Sequence, residues 1–369
     1  MAETNYEISS GSGGKKVEAP AYAYQPTDPQ AYKPKIGLIA CGGITEWHLK
    51  AYRKAGYEVV ALCDKIRERA EKRQTSFYPD AAVYTDFHEL LGRSDIDVVD
   101  VAAHPDDRVE LIEQALLSGK HVLSQKPFVT DLDTGHRLVE LAAQVGRKLA
   151  VNQNGRWAPH FSYMRNAIRE EAIGEVLGAH LGVYWNHDWV AGSPFDDIYH
   201  VVLYDFAIHW FDILTCFMGD KSPTRVFASL ATATGQTAKP PLLGQVLIEY
   251  PGAQATLVFD AFTRFGKQDS TMITGTAGTL FSTGPDLGKQ AVTLTTAAGS
   301  ASPTLEGAWF PDGFHGTMGE LLCAIEEGRE PANSAKNNLK SLSLCMAALR
   351  SAETGLPQVP GEVRRISAL

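Results

Sequence analysis

The stretch from Ile36 to Asp64 constrains this chain more than any other. IGLIACGGIT at 36–45 reads as a strand, a glycine turn and a helix start, and EVVALCD reads as a second strand closed by an acid. Two strands joined through a glycine turn and a helix form a βαβ unit. The pattern continues from Lys35 to about Asn154. IGLIA, EVVALCD, VVDVAA, HVLSQ and KLAVNQN are β-branched runs, with amphipathic segments near 44–55, 66–75, 106–118 and 131–145 between them. Asp106, Asp107 and Asp131 are suited to start helices there, and Gly119 and Gly146 to end them. Such alternation builds a parallel sheet covered by helices on both faces.

After about residue 155 the pattern changes. A helical segment near 160–171 leads into VLGAHLGVYW, and a long amphipathic helix covers about 199–218. RVFASLAT, GQVLIEY, AQATLVFDAFTR, STMITGT, GTLFSTG and QAVTLTT follow at short spacing, which indicates a largely antiparallel sheet. Helices near 314–328 and 334–354 close the chain. At 369 residues the chain exceeds one ordinary core. The expected fold is therefore α/β: an N-terminal Rossmann domain (35–155) and a C-terminal α+β domain (156–369) with a large, mainly antiparallel open sheet. Residues 1–34, rich in Gly, Ser, Pro and Tyr without a period, read as a flexible arm.

In the turn, the three positions of G-x-G-x-x-G are Ala40, Gly42 and Thr45, so only the middle glycine is in place. That glycine lets a backbone approach a pyrophosphate, and Cys41, Gly42, Gly43 and Ile44 bring helix-terminal N–H groups to it. Asp64 ends the second strand about 20 residues on, where a carboxylate accepts from both adenosine ribose hydroxyls. It also repels a 2′-phosphate, which favours NAD over NADP. Lys65, Arg67 and Arg69 follow closely, and an arginine such as Arg69 is placed to stack on adenine or hold a phosphate. His104, after the VVDVAA strand, lies at the strand end where such a ligand binds.

With GKHVLSQKP (119–127), QNGRWAP (153–159) and DFAIHWFD (205–212) added to that turn, the chain resembles the Gfo/Idh/MocA oxidoreductases over about residues 35–365. The resemblance implies a functional lysine at Lys126. The family's Glu-Lys-Pro reads Gln125-Lys126-Pro127 here, so an amide replaces the carboxylate and remains able to hydrogen-bond the nicotinamide ribose. The family's D-x-G-x-H-x-x-D reads Asp205, Ala207, His209 and Asp212, with the glycine alone changed. Helical spacing puts positions i, i+4 and i+7 on one face, so the three polar groups are expected to converge.

The chemistry implied is oxidation of a secondary alcohol or hemiacetal. His209 serves as the base, since its ordinary pKa lies near working pH. Lys126 stabilises the developing alkoxide, and Asp205 orients substrate or histidine. Asn154 and Arg156 are expected near the nicotinamide end. Trp157, Trp185, His187 and Asp188, with Asn186 and Trp189, offer aromatic faces and polar groups suited to a polyhydroxylated ring. The substrate class is thus a sugar or cyclitol, with an aldose such as the pentose apiose as one candidate. The alternatives are an NAD-dependent glycosidase of the same family and a non-catalytic sugar sensor.

No metal is required, because His187, Asp188, His200, Asp205 and His209 match no standard ligand spacing. A net charge of −9 argues against nucleic acid or anionic membrane partners. No apolar run approaches the ~20 residues of a membrane span. Residues 1–34 lack the layout of a secretory signal, and the five cysteines are scattered, so reduced thiols and a cytoplasmic location are expected. An open sheet face needs covering, and a homodimer or homotetramer is the expected assembly.

Overall fold

A computed structural model describes residues 15–366. Its N-terminal half runs β1 (Lys35–Ile39), α1 (Thr45–Ala55), β2 (Glu58–Cys63), α2 (Arg67–Phe77), β3 (Ala82–Tyr84), α3 (Phe87–Leu91), β4 (Ile96–Val101), α4 (Pro105–Leu117), β5 (His121–Ser124), α5 (Leu132–Gln144) and β6 (Leu149–Val151). All six strands are parallel, in the order β3-β2-β1-β4-β5-β6. The order reverses beside β1, so a crevice opens at the strand ends where the glycine turn lies. β3 and α3 were not anticipated; at three and five residues they are too short to carry a period.

The second half comprises α6 (Pro159–Arg169), β7 (Val176–Tyr184), α7 (Ile208–Met218), β8 (Arg225–Ala231), β9 (Leu243–Tyr250), β10 (Ala253–Asp260), β11 (Gln268–Gly275), β12 (Gly278–Asp286), β13 (Lys289–Thr296), β14 (Gly299–Ala301), α8 (Trp309–Glu326) and α9 (Ala335–Thr354). Eight strands form one open sheet in the order β14-β13-β12-β11-β7-β10-β9-β8, antiparallel except for the β7–β10 pair. Along β8, β9 and β10 buried and open positions alternate, so one face packs on helices and the other does not. The uncovered face carries Phe227, Leu247 and Phe281 as exposed apolar side chains.

Two features cross the boundary expected at residue 155. α8 belongs by sequence to the second half, yet Phe314, Met318, Leu321 and Leu322 pack with Ile36, Leu38, Leu49 and Tyr52. Residues 15–34, expected to be a flexible arm, form an extended strap over both halves. Val17 donates to the Ser300 carbonyl at 3.0 Å, Tyr163 Oη to Pro20 at 3.0 Å and Asn166 Nδ2 to Ala23 at 2.9 Å. Asp28 accepts from Tyr57 and pairs with His315, and Glu326 accepts from the backbone N–H groups of Gln30, Ala31 and Tyr32. The remainder of the expected arm, residues 1–14, lies outside the described residues.

Candidate active site

The glycine turn has the form a dinucleotide requires. Ala40, at the first glycine position, has φ +70°, the left-handed region that a β-carbon disfavours by roughly 1–2 kcal/mol. A Cβ built on Gly42 or Gly43 meets no atom within 4 Å, and no side chain caps α1. Open space thus lies over a bare helix N-terminus, as a pyrophosphate needs. Asp64 braces the turn: one carboxylate oxygen accepts from Cys41 N at 2.7 Å, the other from Ile66 N at 2.8 Å.

The arginine that serves the turn is Arg73, which the sequence reading missed. It donates to Thr45 Oγ1 at 3.1 Å and to the carbonyls of Gly42 and Gly43 at 2.9 and 3.1 Å. Arg69 is instead exposed on α2, and His104 is exposed at the start of α4.

Beyond the turn, Ile44, Gln125, Lys126, Asn154, Trp185, His187, Asp205 and His209 share one cleft of 590 Å³. Lys126 follows β5 and precedes a cis peptide to Pro127. Its Nζ donates to the Asp205 carbonyl at 2.8 Å and lies 3.3 Å from Oδ1 of the same residue. Asp205 sits on a π-helical stretch, Val201–Phe206, where Ala207 N reaches back to Val202 O. A widened turn of this kind recurs at functional sites because it re-aims side chains. His209, half-buried in the first turn of α7, lies beside the Trp309 ring at 5.3 Å. Burial, and then the nearby Lys126 charge, hold its pKa well below the ordinary histidine value, so its imidazole is neutral near pH 7.

The walls are aromatic. His187 stacks on Trp185 at 5.5 Å and packs on Phe206 at 4.5 Å, and Trp210 meets Trp185, Phe259 and Trp309 edge-on. Trp309 and Phe310, from the start of α8, were not anticipated because they lie far from any motif. Trp309 Nε1 donates to Asn154 Oδ1 at 2.7 Å. Four buried nitrogens in this wall have no partner among the described residues: Trp185 Nε1, His187 Nδ1, His209 Nδ1 and Trp210 Nε1.

A buried chain supports Lys126 from behind. His48 Nδ1 lies 2.6 Å from Asp100 Oδ2, which also accepts from Tyr52 Oη at 2.7 Å. His48 Nε2 faces Gln125 Nε2 at 3.2 Å and Asn152 Nδ2 at 3.1 Å. Gln125 Oε1 in turn accepts from Lys126 N at 2.7 Å. The amide is therefore occupied on the core side, which the ribose-binding expectation for Gln125 did not foresee.

Three expected substrate residues lie elsewhere. Arg156 is buried and closes a two-pronged pair with Asp212, at 2.5 and 2.7 Å. Asp212 therefore does not join Asp205 and His209: its carboxylate is taken up by the Arg156 guanidinium on the other side of α7. Trp157 packs away from the cleft, over Gly316 and under Arg165. The Asp188 carboxylate anchors a loop by accepting from Thr237 N and Ala238 N at 2.7 and 2.8 Å. His200 is turned to Glu353 at 3.2 Å. Among the described residues no cluster of three or more His, Cys, Asp or Glu is arranged to hold a metal ion, and no helix is long and apolar enough to cross a membrane.

Comparison with known proteins agrees with this geometry. Residues 34–153 match the family model described as "Oxidoreductase family, NAD-binding Rossmann fold", and residues 161–281 match the GFO/IDH/MocA C-terminal domain. A D-apiose dehydrogenase of Paraburkholderia graminis is 28% identical over 333 residues, covering 87% of this chain and 88% of that protein. An inositol 2-dehydrogenase of Rhizobium meliloti is 25% identical over 327 residues, covering 86% and 96%. The fold is also that of an Agrobacterium radiobacter oxidoreductase solved with NAD+, L-tartaric acid and magnesium, with a TM-score of 0.79 at 22% identity over 89% of this chain and 99% of that one.

Proposed function

The chain belongs to the Gfo/Idh/MocA family of oxidoreductases with an NAD-binding Rossmann domain, and from that premise we propose that it reversibly oxidises one hydroxyl of a sugar or cyclitol. The observation that carries the reading is the meeting of Lys126, Asp205 and His209 in a cleft walled by indole and imidazole rings. Aromatic faces pack on the C–H surfaces of a polyol, and unpartnered nitrogens in the wall suit its hydroxyls.

Gly42, Gly43 and Ile44 would hold the pyrophosphate of the dinucleotide, and Asp64, whose oxygens already brace the turn, would stand beside its adenosine ribose and favour NAD over NADP. When bound, the nicotinamide supplies the hydride acceptor. His209, neutral at working pH, takes the hydroxyl proton, while the Lys126 ammonium donates to the same oxygen and stabilises its developing charge. Asp205 holds that ammonium through its carbonyl and carboxylate and offsets its charge. In the reverse direction His209 returns the proton to the carbonyl oxygen. Apiose and inositol lead the substrate panel, given the relatives above. The exposed apolar face of the large sheet is covered by a second copy, giving a homodimer or a homotetramer built from it.

The test follows absorbance at 340 nm with NAD and NADP across aldoses and inositols. Turnover with NAD on at least one of them is expected, abolished by Lys126→Ala and by His209→Ala with NAD binding retained. Near-wild-type turnover in either variant overturns the mechanism. Release of an aglycone from glycosides, with no turnover on free sugars, overturns the dehydrogenase reading.

A further inference from the structure

Behind the cleft lies a second cavity, of 680 Å³. The short helix Asn154–Trp157 divides the two: Asn154 faces the cleft, whereas Arg156 and Trp157 line the rear cavity. The strap supplies one wall through Ala23, Gln25 and Thr27. The volume is that of a small-molecule site rather than of a packing defect.

Its charges do not balance locally. The Arg156–Asp212 pair is closed, as described above. Glu320 is engaged by Arg329 at 2.5 Å and by Ala332 N at 2.6 Å. Asp220 lines the cavity from its exposed edge. Against these stand Arg165, Arg169 and Lys340. Arg165 is the telling one. Its guanidinium carbon lies 5.2 Å from the centre of the Trp157 ring, its fork lies beside the Cys216 thiol, and its Nε is closed off from solvent without an acceptor. Neither a thiol nor an indole face carries the negative charge that a guanidinium fork is shaped to meet. Burial lowers the Arg165 pKa; Cys216 and the carboxylate of Asp212 oppose this, and the positive charges of Arg156 and Arg169 add to it. A guanidinium drawn partly out of water with no carboxylate bonded to it is costly, and an anion that reaches its terminal nitrogens from the cavity offsets that cost.

We propose that the rear cavity is a binding site for a small oxyanion-bearing metabolite, its carboxylate or phosphate group received by Arg165, with Arg169 and Lys340 at the rim. The ligand is distinct from the polyol of the cleft, and the site stands whether or not the reaction proposed above is correct.

The experiment uses the full chain saturated with NAD, so that the pyrophosphate turn is filled and does not take up the probe. Inorganic phosphate and citrate are titrated separately, by calorimetry and by thermal shift, against chloride at matched ionic strength. Saturable binding of one probe is expected, with at least a tenfold loss in Arg165→Gln. Phosphate alone identifies a phosphorylated ligand, and citrate alone a carboxylate. If Arg165→Gln does not fold, the double variant Arg169→Gln/Lys340→Gln, altered only at exposed positions, is expected to bind at least fivefold more weakly. Absence of a response to either probe beyond chloride, or undiminished binding in the variants, overturns the proposal.

Discussion

His48 and Asp100, both fully buried, hold each other at 2.6 Å through Nδ1 and Oδ2. The opposite ring nitrogen faces two side-chain amides, Gln125 and Asn152, whose N–H groups require an acceptor. Nδ1–H donating to Asp100 and Nε2 accepting from the amides is the tautomer this pattern fixes, while Asp100 Oδ1 keeps no partner among the described residues. That tautomer also accounts for the amide where the family has glutamate. A carboxylate at 125 would face Nε2 and demand a second proton.

Gln125→Glu is therefore expected to add a pH-dependent contribution to this support. In this variant His48 gains a carboxylate partner and its folded pKa rises. The added stabilisation is fully present below the unfolded value of ~6.5 and is lost as pH rises through the folded value. Thermal melts of wild type and variant from pH 6 to 9 should diverge steadily, the variant falling faster. Parallel curves would show that Gln125 does not depend on the protonation of His48.

His209 should titrate below the ordinary histidine range, because burial and then Lys126 disfavour its cation. The base is then available throughout the neutral range, and the acid limb of kcat/KM for oxidation falls below pH ~6.5. Lys126→Met, followed by NMR of the His209 ring, should move the titration upward only in part, since burial remains. A wild-type titration at or above 6.5 contradicts this.

Arg156 and Asp212 are read here as a structural pair rather than as substrate groups. Asp212→Ala leaves a buried guanidinium without its carboxylate and is expected to cost about 3–5 kcal/mol by chemical denaturation. Trp157→Phe should leave the substrate KM within about twofold of wild type. A large KM effect at Trp157 would return it to the substrate site.

Asp269, buried on β11 with neither carboxylate oxygen partnered among the described residues, has its pKa pushed up to about 7 by burial. The folded state therefore holds a proton that the unfolded chain releases near pH ~3.9. Stability from this group is full below that value, declines as pH rises towards 7, and is flat above. Asp269→Asn should remove the decline, by up to roughly 1.4 kcal/mol per pH unit between 4 and 7. Denaturation midpoints at pH 5 and 8 decide it; equal pH dependence in wild type and variant refutes it.

What the sequence made legible was local. The alternation up to Asn154 announced the parallel sheet because each βα unit is contiguous, and Lys126, Asp205 and His209 sat in recognisable runs. The misplacements share one cause, long-range packing that leaves no periodic trace. Asp212 was assigned by helical spacing, which takes no account of the buried Arg156 that claims its carboxylate. Arg156 and Trp157 adjoin Asn154, but one short helical turn aims them to the opposite side. Arg73 and Trp309 reach the site from elements with no motif, and the strap at 15–34 is held largely through its backbone, which no side-chain pattern records.

That strap also limits motion. It is pinned to Ser300 at one end and runs covalently into β1 at the other, with α6 and α8 holding its middle. An extended chain spans at most ~3.3–3.6 Å per residue, so it acts as an inextensible tether between the two halves. Hinge opening of the cleft must either carry the strap along or peel it from Glu326 and His315, and the travel available to the dinucleotide domain is set by a segment that lines no part of the cleft.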